Sequence, residues 1–175
     1  MEKRSIKFIT IPVILILAVF ISGCSEKEED EIGTKSYSYF YPAKNGISET
    51  AKNKTVYLPV YSHVYTSEEK FEPMGITLSI RNTDSNRELI LKEISYYNTS
   101  GELIEKFISK PHILKAMASI DFIVDLRDMR GGSGANFIVK WETDQKLSTP
   151  LIQAVMVNNS GNRPFSFITN AHKID

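Results

Sequence analysis

The sequence predicts an all-β protein: a single antiparallel β-sandwich of about eight strands, immunoglobulin-like in arrangement. Three observations predict it. From Thr55 onward, short apolar runs are broken by clusters of Asn, Ser, Thr, Gly and Pro at the spacing of a sandwich. Two of these runs, residues 75–82 and 120–125, alternate apolar and polar side chains with a period of two. No stretch between the runs carries the apolar stripe of an amphipathic helix.

Each element follows in chain order. Residues 55–62 are rich in β-formers but contain Pro59, which cannot donate to a ladder, so they read as an edge strand. In 75–82, Ile76, Leu78 and Ile80 face one way and Thr77, Ser79 and Arg81 the other. The cluster 82–86 turns the chain. Residues 89–98 form the next strand, and 98–101 make a hairpin connection into 103–108. Pro111 ends that strand, and 111–119 has room for a helical turn or a loop. Ile120, Phe122 and Val124 share a face of the strand after it. Residues 135–142, 151–157 and 165–169 complete the set, with 158–162 turning the last pair. Phe137, Val139 and Trp141 fall on one face, which reads as core and against a sugar-stacking Trp.

The N-terminus reads as an export signal. Lys3, Arg4 and Lys7 precede a nearly unbroken apolar run, residues 8–21, too short to span a bilayer comfortably. Ile21, Ser22, Gly23 and Cys24 fit a lipobox, and Cys24 is the chain's single cysteine. The expected organisation is therefore a signal peptide over 1–23, an acidic and polar tether over 24–54, and a sandwich domain over 55–175. Acyl chains on Cys24 would make the membrane a partner, since two buried chains suffice for stable anchoring. The expected location is the cell envelope, on the outer membrane where the cell has one. Lys27, Glu28 and Glu29 are similar to a surface-display signal, although acidic runs more often serve as solvated tethers. The aromatic cluster 37–41 could dock on the domain, pair as an extra strand or meet a partner; poor alternation and Pro42 make a loosely docked segment the default.

Over the full chain 21 basic residues balance 21 acidic ones. Without residues 1–23 the balance is 18 to 20, a net charge of −2, which gives no footprint for nucleic acid.

Several strings resemble the bacterial domain-of-unknown-function family 3124: residues 59–65 with 78–84, 95–98, 130–141 and 154–156. The resemblance runs from about Val56 to Ile168. It implies a small exported protein, often lipid-anchored, with no assigned activity. Lys140 departs from the acidic residue the family pattern leads one to expect there.

The candidate ligand or partner loop is Gly131, Gly132, Ser133 and Gly134, with Asp128, Arg130 and Asn136 beside it. A glycine-rich loop can turn its N–H groups toward an anion. No Lys with Ser or Thr follows, and a strand rather than a helix comes next, so neither nucleotide fingerprint applies. The competing reading is a turn that needs positive φ and close packing. Arg81, Asn82 and Asp84 could join Asp125, Arg127, Asp128 and Arg130 in a polar pocket at the strand ends, although such residues more often make turn hydrogen bonds and surface ion pairs worth little each. His63, His112 and His172 lack metal-ligand spacing, so neither a metal nor another cofactor is expected. The sequence thus points to a non-enzymatic binding or protein-interaction module for an envelope protein or a small ligand. The alternatives are a hydrolase using Asp125, Asp128 or His63, and a structural accessory subunit of an envelope complex.

Overall fold

The computed structural model describes residues 37–43, 52–143, 147–160 and 163–174. Among them are thirteen strands and no helix: β1 (Phe40–Pro42), β2 (Lys52–Pro59), β3 (His63–Ser67), β4 (Lys70–Pro73), β5 (Gly75–Arg81), β6 (Leu89–Tyr97), β7 (Leu103–Ile108), β8 (His112–Leu114), β9 (Ser119–Val124), β10 (Asn136–Thr143), β11 (Leu151–Asn158), β12 (Phe165–Asn170) and β13 (His172–Lys173). The expected signal peptide, Cys24 and most of the expected tether lie outside the described residues.

One sheet has the order β1-β8-β6-β10-β2-β13, with β7 also on β6; a second has the order β12-β11-β5-β9; β3 and β4 form a separate hairpin. The two larger sheets pack on one apolar core drawn from both. Inward alternation is cleanest in β9, where Ile120, Phe122 and Val124 are buried between exposed neighbours. Phe122 meets Phe40 at 6.1 Å and Phe107 at 5.6 Å, edge to face, and so ties β9 to the opposite sheet.

β10 is the spine of the larger sheet, paired with β2 on one side and β6 on the other. Its inward residues Phe137 and Val139 oppose Leu58 and Val56, and also Tyr96 and Ile94. The register with β6 then shifts: Lys140 faces Glu93, but Trp141 faces Leu91. The bulge at Lys92 keeps Leu91 on the core face, where strict pairing would have placed the lysine. Trp141 is buried beside Phe137 and Val139, as the shared face predicts.

All eight expected strands are present, with ends shifted by at most three residues. The all-β class and the antiparallel sandwich are as the sequence predicts. The strand order is not the immunoglobulin one, in which the first two strands pair within one sheet. Here the chain changes sheet between β2 and β5, β5 and β6, β8 and β9, β9 and β10, β10 and β11, and β12 and β13. Spacing between turns counts strands without choosing their neighbours.

Three further expectations are corrected. Residues 40–42, assigned to the tether, are a sheet strand on β8. Phe40 is 1% exposed and stacks on His112 at 4.7 Å, so burial of one aromatic ring overrides the polar context. Residues 112–114 are strand rather than helical turn, because His112 and Leu114 both point inward and pair with β6. The hairpin β3–β4 and the two-residue β13 are too short to show a period. Pro59 does sit on an open edge: β13 covers β2 only at Tyr57 and Val56.

Candidate functional site

The register of β5 with β9 decides where the polar residues go. Arg81 opposes Ser119 and Ile76 opposes Val124. Asp125 to Arg130 therefore leave the sheet at the end where β5 begins, roughly 20 Å from Asn82 at the usual strand rise. A pocket joining Arg81, Asn82 and Asp84 to the second group does not form. Antiparallel pairing separates two clusters that sequence spacing left free to meet.

At the first end, Asn82 and Asp84 are buried and fully engaged. The Asn82 amide donates to the carbonyls of Arg87 (2.7 Å), Leu114 (3.2 Å) and Lys115 (3.1 Å), while its oxygen accepts from the Asp84 N–H at 3.0 Å. Asp84 accepts from the N–H groups of Asn86, Arg87 and Ser148. The donors of Asn86 and then Ser148 hold its carboxyl down at about 2. Arg81 lies exposed, its Nε 3.4 Å from Ser79 Oγ. These residues knit three loops together.

At the other end, the glycine loop is held from two sides. Buried Ser62 accepts from the Gly132 N–H at 2.8 Å, and its own N–H donates to the Gly132 carbonyl at 3.1 Å. Thr99 Oγ1 accepts from the Gly134 N–H at 2.9 Å, and the Thr99 N–H donates to the Gly131 carbonyl at 2.9 Å. Gly132 has φ +78°, and a side chain there would meet Thr99. The N–H groups of Gly132 and Gly134 thus serve the protein, which favours the turn reading over an anion cradle. Asn136 is buried where β10 begins, opposite Pro59 and Tyr97. Ser133 is half-buried.

The charged residues beside the loop neutralise one another two at a time. Asp125 binds Arg127, and Asp128 binds Arg130, each through Oδ1 to the arginine N–H and Nε. The Arg127 side chain holds the Asp125 carboxyl at about 2, and that of Arg130 lowers Asp128. Arg130 also lies 3.6 Å from Glu105. His63 packs between Tyr65 and Phe71, with ring centroids at 5.2 and 5.0 Å. Its Nδ1 lies 3.5 Å from Ser62 Oγ, but that hydroxyl is buried and used by the glycine loop.

A site the sequence did not signal lies between the sheets at their β2 and β11 margins. It is a cleft of about 410 Å³, lined by Lys54, Val56, Trp141, Thr149, Pro150, Leu151, Ile152, Asn170, Ala171 and Lys173. Trp141, Val56, Ile152 and Pro150 are buried and make its apolar wall, while Lys54 is half-buried and Lys173 exposed. Lys54 stands opposite Trp141 across β2 and β10, and Lys173 opposite Val56 across β2 and β13, so all four share the inward side. The volume falls within the range of small-molecule sites. Four segments far apart in sequence build it, and Trp141 read simply as core.

Residues 53–174, more than two thirds of the chain, match the family model described as "Protein of unknown function (DUF3124)". The chain belongs to the DUF3124 family. The matched DUF3124 range includes the glycine loop and every residue of the cleft, and leaves β1 outside. No curated protein matches the chain. Among solved structures, the crystal structure of Thermotoga maritima 1070 is similar at 12% identity and a TM-score of 0.41, over 68% of this chain and 92% of that one. A likeness at that score carries nothing for the fold or function of this DUF3124 chain.

Proposed function

We propose that this chain is a cell-envelope binding module, tethered by acyl chains on Cys24, that holds a small ligand in the cleft beside Trp141. The cleft carries the reading: it is concave and apolar-walled, with a few polar groups at its mouth. Binding is favoured over hydrolysis by how the candidate catalytic groups are engaged. Asp125 and Asp128 are tied to arginines two residues on, and Ser62 beside His63 is buried under the glycine loop. Trp141 is the only tryptophan, so its emission reports on the cleft directly. A fluorescence screen of the full-length chain against sugars, small anions and amphiphiles is expected to give at least one saturable change that Ala171→Phe abolishes by filling the cleft without adding a second indole. Flat emission with every class sinks the proposal.

A specific observation favours a second reading, docking to an envelope protein. On the outer face of the four-stranded sheet, Ile123, Thr77, Val155 and Ile168 lie in one cross-strand row. Ile123 is 70% and Ile168 58% exposed. Photocrosslinkers at these two positions that capture one defined envelope protein in intact cells would favour this reading. Crosslinks to no protein would remove it.

A further inference from the structure

We infer that the cleft takes an amphipathic monoanion: a short acyl or aryl chain bearing one carboxylate, with the apolar body against Trp141 and the carboxylate between Lys54 and Lys173. The inference rests on the cleft being a binding site and names what it binds.

Three features of the lining select this class. Its inner surface is aliphatic and aromatic, so the part of the ligand that enters must be apolar, since an unpaired polar group there would go unsatisfied. Lys54 and Lys173 bring two ammonium groups to the lining, which among the described residues holds no carboxylate. Among the described residues, Lys54 and Lys173 have no acidic partner within 4.0 Å, while Lys92 and Lys140 on the same sheet are paired to Glu142 and Glu93. Two cations with no acidic partner among the described residues, at the edge of a low-dielectric slot, favour an anion and reject a cation. Asn170 and Thr149 add neutral polar atoms beside them.

Size narrows the class further. At the roughly 30 Å³ a water-sized group occupies in a liquid, 410 Å³ holds on the order of a dozen non-hydrogen atoms. That accommodates a medium-chain carboxylate such as decanoate. A two-chain phospholipid or a nucleotide is too large.

The test uses the full-length chain carried on phosphatidylcholine vesicles and follows Trp141 emission. The probes are ω-bromodecanoate, whose bromine quenches an indole it touches, and the corresponding bromo-alcohol and bromo-amine. Saturable quenching by the acid is expected, with the alcohol about tenfold weaker and the amine weaker still. The double variant Lys54→Gln, Lys173→Gln should bring the acid down to the level of the alcohol. Should that variant not fold, the acid-to-alcohol ratio on the unaltered chain decides alone. Equal binding of acid and alcohol would overturn the monoanion while leaving the cleft as a binding site. Quenching by none of the three would remove the site itself. Substituting phosphatidylglycerol for part of the phosphatidylcholine should leave the acid's binding unchanged. Competition there that depends on the two lysines would reassign the cleft to a lipid headgroup and overturn the inference.

Discussion

The phenol of Tyr96 lies where a side chain on Gly131 would begin. Both residues are buried, the ring is stacked on Phe137 at 5.0 Å, and the Tyr96 hydroxyl finds no hydrogen-bond partner among the described residues. Gly131 is therefore required by packing, not by a ligand. Gly131→Ala should cost about 1–3 kcal/mol, the range for forcing extra atoms into a filled core. Tyr96→Phe should be close to neutral, because it deletes a buried oxygen that bonds to nothing. The double variant should recover part of the Gly131→Ala loss. Urea unfolding of the four proteins reads this coupling directly, and additive costs would disprove the contact.

The same phenol gives an alkaline signature. Burial, above all, pushes the Tyr96 hydroxyl up to about 12, with Asp128 adding to the rise. An unfolded tyrosine ionises near 10. Between these values the folded chain keeps a proton that the unfolded chain releases, so stability falls as pH rises from about 10 to about 12. Tyr96→Phe should flatten that limb. An unchanged limb would mean that the hydroxyl is solvated.

Asp84 gives the opposite limb. Its carboxyl titrates at about 2 in the folded chain and near 4 when unfolded, so its contribution is full above pH 4 and drains away toward pH 2. Asp84→Asn should remove much of the acid sensitivity in that window. Asp125 is depressed to the same value, but its partner is the exposed Arg127 two residues away, a pairing that an unfolded chain can retain. Asp125→Asn should alter the acid limb less. Asn82→Ala, which strands three carbonyls, should cost about 2–3 kcal/mol at neutral pH.

Much of the fold was legible because it obeys a period. Ile76, Leu78 and Ile80, and Ile120, Phe122 and Val124, alternate as a half-buried strand must, and they are buried as the pattern requires. The irregular parts were legible only in hindsight. The step of three from Leu91 to Ile94 is the mark of the Lys92 bulge, yet it reads equally as a lapse in patterning. Phe40 carries one buried ring in a polar stretch, too little for any period to register. The candidate site fared worse for a physical reason. Asn82, Asp84 and the glycines are chemically conspicuous because turns need them, while the cleft uses Lys54, Trp141, Ile152 and Lys173, which look like ordinary edge and core residues. Long-range pairing brings them together, and composition carries no trace of it.

Two serines separate structure from ligand at the glycine loop. Ser62 is buried and satisfies the Gly132 N–H, so Ser62→Ala should cost about 1–3 kcal/mol by orphaning that donor. Ser133, within the loop, should tolerate alanine to within about 0.5 kcal/mol. Ser133→Ala should also leave the Trp141 response to a ligand unchanged; were that response abolished with stability intact, the loop would have to be part of the binding surface.

The proposed anchor makes the most direct cellular prediction. A single cysteine placed after two small residues, at the end of a short apolar run, has no internal disulfide open to it, and the proposed acylation would account for its position. The full-length chain should incorporate a palmitate analogue and sediment with membranes, while Cys24→Ser should lose the label. The sandwich has its own core, so the variant should keep the urea midpoint of the parent chain. Label retained on Cys24→Ser would place the acyl group elsewhere. An unlabelled parent chain still in the membrane would mean that residues 8–21 hold it as an uncleaved segment, and the tether would then begin from that segment instead of from a lipid.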